Sequence, residues 1–167
     1  MLHSLGAGVR AAFLLQRARR QRFAWPVTLT TPAVASRGLA GGAETVVLRA
    51  IRRTDAQAWY ALRLADAARL SPWEATLPAG SPETLRSFST YAREQNRLAH
   101  RGMAMPFIVE VDGALAGQVT AAPIHWDALS SASVGYWIGS RWEGRGVMAL
   151  SVAMVLDHLL GPEVGLH

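Results

Sequence analysis

The sequence contains no cysteine and no lysine. The first absence excludes disulfide frameworks, thiolate metal sites, iron–sulfur clusters and a cysteine nucleophile. It also suits a reducing compartment, so a cytoplasmic location is expected. The second absence removes the P-loop, which needs Lys before Ser or Thr. Long apolar runs are missing too. The longest, Val147 to Leu156, is stopped by Asp157 and His158, whereas a membrane helix needs about 20 residues. Acid is missing from the first 43 residues, which carry Arg10, Arg17, Arg19, Arg20, Arg22 and Arg37.

What is present fits one domain of ordinary size: 167 residues, half of them apolar and 17% charged. The net charge of +5 lies wholly on the N-terminal stretch. Residues 44–167 hold eleven Arg against twelve Asp plus Glu, a net of −1. A nucleic-acid-binding fold is expected to carry its basic footprint on the folded body, so no DNA partner is expected. The charge follows the apolar stretch around Phe13 and Leu14 instead of preceding it, which is the wrong order for a secretory signal. Residues 1–43 therefore read as an Arg-rich flexible arm and linker. Such a segment suits contact with RNA, for instance on a ribosome.

The folded body is expected over residues 44–167. Val46 to Leu48 reads as a strand. Thr54 to Gln57 has capping-box spacing, and a helix is expected from Asp55 to Leu70 with Ala58, Ala61, Leu62 and Ala65 inward. Ser81-Pro82 signals a second helix with Leu85, Phe88, Tyr91 and Ala92 as its stripe. Phe107 to Val111, the turn at Asp112-Gly113, Leu115 to Thr120 and Ser133 to Ile138 form a meander. Val147 to Leu160 is apolar almost all round and is expected to be buried against the sheet. The fold class is α/β, with a mixed, mainly antiparallel sheet and flanking helices.

Chemistry concentrates in Arg141-Trp142-Glu143-Gly144-Arg145-Gly146, between the last strand and the apolar helix. A glycine-rich loop feeding a helix N-terminus offers unpaired N–H groups and the positive end of the helix dipole. A pyrophosphate is the natural guest, and Arg141 or Arg145 can add a charge-assisted contact. The spacing is not the G-x-G-x-x-G of dinucleotide folds. R-x-x-G-x-G alone is a weak signal in a chain with 17 Arg and 15 Gly. Its strand–turn–helix context strengthens it. The five histidines show no ligand spacing, so no metal is expected. Asp157 and His158 have no paired serine, and Glu110 is expected to face solvent.

With this motif the sequence resembles the GNAT N-acetyltransferase superfamily. The run Val134-Gly135-Tyr136-Trp137-Ile138-Gly139, followed by Trp142, Gly144, Gly146 and Met148, is similar to the ribosomal-protein-alanine (Rim-type) group. So are Leu70-Ser71-Pro72-Trp73-Glu74 and Gly117-Gln118-Val119-Thr120, and Trp25 to Leu29 resembles an N-terminal stretch of some members. The resemblance implies an acetyl-CoA-dependent enzyme acetylating a primary amine, most specifically a protein N-terminal alanine. Small amines, or a silent remnant that binds only CoA or a partner, are the alternatives. It implies cofactor contacts from Tyr136, Trp137, Ile138, Arg141, Trp142, Glu143, Gly144, Arg145, Gly146 and Val147. It gives Trp73 and Glu74 to the acceptor, with Glu74 as the candidate base. It also places a further strand and helix after His167, so the domain is expected to be incomplete at that end.

Overall fold

The computed structural model describes residues 23–31, 45–73, 87–126 and 128–166. Five strands form one sheet in sequence order. They are β1 (Leu29–Thr30), β2 (Val46–Ala50), β3 (Met105–Val111), β4 (Ala114–His125) and β5 (Ser131–Ile138). Every pairing among them is antiparallel. Between β2 and β3 lie a 3₁₀ turn at Arg53–Asp55, helices α1 (Ala56–Ala65) and α2 (Ala67–Leu70), a second 3₁₀ turn at Ser71–Trp73, and α3 (Phe88–His100). A third 3₁₀ turn, Ser140–Trp142, leads from β5 towards α4 (Val147–Leu160). The expected α/β class and the order of the meander are both present.

Strand alternation sorts the core. Phe107, Val109 and Val111 of β3 pack with Val46 and Leu48 in the main cluster, which also holds Val147, Val155 and Leu159 of α4. Ile108 joins a smaller cluster with Ile51, Phe88 and Ala92. β3 is buried at almost every position because it is central and covered on both faces.

Residues 23–31 also pack against the body expected over residues 44–167. Phe23 and Trp25 are buried. Trp25 meets Phe107 edge-on at 5.3 Å, and its indole N–H donates to Asn96 Oδ1 at 2.9 Å. Thr31 exchanges bonds with Val46 through its backbone N–H and its hydroxyl. Aromatic side chains are large enough to anchor a segment whose backbone contributes only a two-residue strand.

Three local expectations also change. The first helix breaks at Asp66, and its half-buried face carries Trp59, Leu62 and Arg63, while Ala58, Ala61 and Ala65 are exposed. Trp59 wins that face because it closes on Phe88, Tyr91 and Trp137 at 5.3–6.0 Å. The 3₁₀ turn before α1 is closed by Asp55, whose carboxylate accepts from the Arg52 N–H at 2.7 Å. The expected start at Ser81-Pro82, with Leu85, lies outside the described residues. The described α3 begins at Phe88, with Ser87 Oγ accepting from the Thr90 N–H. Finally, α4 is buried along one stripe only, at Val147, Ser151, Val155 and Leu159, while Leu156 and Leu160 are exposed.

Glu110 does not face solvent freely. Its carboxylate lies 2.7 Å from Arg49, which also grips Asp55 through both terminal nitrogens at 2.8 and 2.9 Å. Burial by itself would lower the Arg49 pKa, but hydrogen bonds to Asp55 and Glu110 raise it above its ordinary value. The buried cation is thereby paired on both sides.

Candidate functional site

A cleft of about 990 Å³ runs between α2, the outer edge of β5 and the start of α4. One end is the glycine turn. Gly144 and Gly146 both adopt left-handed backbone, with φ of +70° and +79°. Gly146 is the N-cap of α4, and the first intrahelical bond runs from the Leu150 N–H to its carbonyl. The N–H groups of Val147, Met148 and Ala149 therefore precede the helical ladder. A Cβ at Gly144 would meet nothing within 4 Å, so the backbone angle, not crowding within the fold, demands glycine there.

The long wall is β5. Gly139 donates to Ala116 C=O at 2.8 Å, and Trp137 lies opposite Gln118. Antiparallel alternation then turns the backbone groups of Tyr136 and Ile138 towards the open edge. Close approach of the two strands is enforced at Gly117, opposite Ile138. A Cβ there would overlap the Trp137 carbonyl oxygen and lie 2.9 Å from Ile138 Cα.

Tyr136, Trp137, Ile138, Trp142, Glu143, Gly144 and Gly146 all line this cleft, as does Trp73, which is 88% exposed. Arg141 and Arg145 sit instead over the Trp142 ring, with their guanidinium carbons 4.9 and 5.6 Å from its centroid. The Val147 side chain is fully buried, so only its backbone can serve the site. Glu74 lies outside the described residues.

Three charged residues escaped the sequence reading. Asp66, at the break between α1 and α2, accepts from the Ser140 N–H at 2.6 Å and pairs with Arg69 at 2.8 Å. Arg69 in turn donates to the Ile138 carbonyl and lies 3.7 Å from Glu143. This pair ties the first helical segment to the exit of β5, directly before the glycine turn. No local motif announces it, because the partners are 69 and 74 residues apart. Arg63 is the other omission. Its guanidinium stands over Trp59 and Trp137, 4.7 and 5.3 Å from their centroids, where the cleft meets a smaller cavity lined by Tyr91, Gln118 and Thr120.

Hydrogen bonds from Arg69 and then Ser140 hold the Asp66 carboxyl below its ordinary pKa. A depressed folded value means stability that is present above the ordinary carboxylate pKa and is lost as pH falls below it towards the folded value. Asp66→Asn is expected to cost about 1–3 kcal/mol at pH 7, since buried bonds to a charged group are lost. Urea unfolding at pH 7 and pH 3 should show the gap between wild type and variant closing at the lower pH. An equal gap at both would remove the charge from the explanation.

A family model described as an acetyltransferase (GNAT) domain matches residues 45–167. The chain belongs to the GNAT acetyltransferase family. Among solved structures this GNAT domain is similar to Mycobacterium smegmatis RimJ in complex with CoA-disulfide, with 36% identity and a TM-score of 0.71, covering 86% of this chain and 66% of that one. The ribosomal-protein-S5-alanine acetyltransferase from Vibrio fischeri shares the fold at 22% identity and a TM-score of 0.58, covering 69% of this chain and 63% of that one. So does the microcin C7 self-immunity acetyltransferase MccE in complex with acetyl-CoA and AMP, at 16% identity and a TM-score of 0.58, covering 72% and 64%. The GNAT chain here thus spans a little under two thirds of the length of these structures. A comparison with curated proteins gives no match. Among the described residues no helix is long and apolar enough to cross a membrane, and no three His, Asp or Glu side chains converge as a metal site.

Proposed function

We propose that the chain is an acetyl-CoA-dependent N-acetyltransferase whose acceptor is a primary amine, specifically a protein N-terminal alanine of the ribosomal-protein type. The observation that carries this reading is the paired left-handed glycines, Gly144 and Gly146, opening one end of the cleft onto the α4 N-terminus. They let backbone N–H groups approach a pyrophosphate with no side chain between. The free edge of β5 offers the Tyr136 and Ile138 N–H groups to an extended amide arm. The exposed Trp73 and the Arg63 end of the cleft remain for the acceptor. Acetyl-CoA supplies an activated acyl group, and direct attack by an amine needs no cysteine on the enzyme. In this reading Glu74 holds the acceptor ammonium and takes its proton. Arg141 and Arg145, stacked about Trp142, contribute positive charge near the turn. The CoA-bound RimJ neighbour supports the cofactor assignment, and the Vibrio fischeri protein's name supports the acceptor class.

The test pairs binding with transfer. Calorimetry should show CoA binding to the wild type and at least tenfold weaker binding to Gly144→Val. A β-branched side chain at φ of +70° strains the turn by about 1–3 kcal/mol, so the fold should survive the change. Acetyl transfer should favour an alanine-initiated peptide over a polyamine. Equal CoA affinity of the two proteins would sink the diphosphate assignment, and preference for the polyamine would sink the acceptor.

A further inference from the structure

We propose that the groove between the Arg52–Arg53 segment and α3 is a docking surface for the phosphate backbone of double-stranded RNA. The groove, about 470 Å³ in volume, is lined by Arg52, Arg53, Arg93, Arg97 and His100, with Ile51 and Ala92 among its apolar residues. It is separate from the acetyl-CoA cleft, and the inference does not depend on the proposed reaction. Arg93 and Arg97 are one helical turn apart, so they project from the same face of α3 about 6 Å along its axis. Arg52 and Arg53 oppose them from the exit of β2. All four arginines are exposed. Arg97 lies 3.9 Å from Glu94, and Arg93 donates to the Thr90 hydroxyl at 3.3 Å. A long, exposed pair of this kind holds an arginine only weakly.

The chemistry of the lining selects the partner. Planar guanidinium forks match phosphate oxygens in a bidentate manner. Among the described residues no Phe, Tyr or Trp lines the groove, so it lacks the stacking platform that single-stranded recognition uses. It also lacks the aromatic anchors that dominate protein–protein contacts. A duplex, read through its backbone and shape, needs neither.

Chain connectivity adds a second, independent observation. Asn96 lines the groove and also accepts from the Trp25 indole. The Phe23 ring lies 6.2 Å from Trp126, whose indole N–H bonds Gly102 just beyond the end of α3. The sequence Arg17, Arg19, Arg20, Arg22 leads directly into Phe23. The sequence therefore holds four further arginines within six residues of Phe23, which itself packs beside the end of α3 that carries His100.

The experiment is fluorescence anisotropy with a labelled 20-base-pair RNA duplex across a salt series, using the 167-residue chain. The triple variant Arg53→Gln, Arg93→Gln, Arg97→Gln is expected to bind at least tenfold more weakly at 0.1 M salt. The slope of log affinity against log salt should shrink by about 2–3, at about 0.9 for each phosphate no longer neutralised. Its melting temperature and CoA affinity should match the wild type. An unchanged slope would overturn the groove as the docking surface. Equally tight binding of poly-glutamate, abolished by the same variant, would replace RNA with an acidic protein as the partner.

Discussion

Gly117→Val is expected to lower stability by about 3 kcal/mol, at the upper end of the usual overpacking cost. Gly117 lies between Val109 of β3 and Ile138 of β5, so neither neighbour can yield without breaking a ladder. The atoms a Cβ would strike, the Trp137 carbonyl oxygen and Ile138 Cα, are backbone and cannot rotate away. For a domain of this size the melting temperature should fall by about 6–12 °C. CoA affinity should drop with it, because β5 is the wall of the cleft. Gly135→Ala is the internal control. It lies on β5 opposite Thr120 of β4, its Cβ would meet nothing within 4 Å, and it should shift stability by no more than about 0.5 kcal/mol. Similar melts for the two variants would show that β5 is free to move away from β4, and would dissolve the idea of a fixed wall.

Trp25→Ala should cost about 3–5 kcal/mol, the range for deleting a large buried aromatic. The side chain is 6% exposed, packs edge-on against the central Phe107, and gives its N–H to Asn96. Asn96 spends its own amide N–H groups on the Ile51 and Ala92 carbonyls. Losing Trp25 therefore loosens the junction of β2 with α3. Trp25→Phe retains most of the ring and should cost roughly a third as much, mainly for the lost hydrogen bond and residual cavity. Chemical denaturation of the three proteins measures this. A Trp25→Ala protein as stable as wild type would return residues 23–31 to the status of an appendage.

The sequence made the meander and the glycine turn legible because their signals are local. Period-two alternation marks β5, an Asp-Gly pair marks the β3–β4 turn, and glycine spacing marks the mouth of α4. The anchoring of Trp25 was obscured by its surroundings, an acid-free, arginine-rich stretch that reads as solvent-exposed. The inward face of α1 went astray because the stripe was drawn through small alanines and left out Trp59. In the fold, one indole reaching four other aromatic rings decides that orientation. Asp66 and Arg69 were invisible for a different reason, since their work is done on backbone groups far along the chain. Charge summation is blind in a third way. A net of −1 over residues 44–167 is correct, yet Asp55 and Glu110 are absorbed by Arg49, and Asp66 by Arg69. Four of the nine arginines left over, Arg52, Arg53, Arg93 and Arg97, line one groove, and a sum has no position.

The grip of Arg69 on the Ile138 carbonyl also bears on strand pairing along β5. An edge strand with alternate N–H and C=O groups facing outward is a template for a second chain to add to the sheet. At its last position β5 offers such a chain no open acceptor, because a guanidinium already occupies it and a helix stands behind that guanidinium. An incoming strand would have to stop short, while a ligand that needs only donors meets no obstacle. One side chain thus leaves that end of β5 able to donate but not to accept, which deters pairing with a strand of another copy.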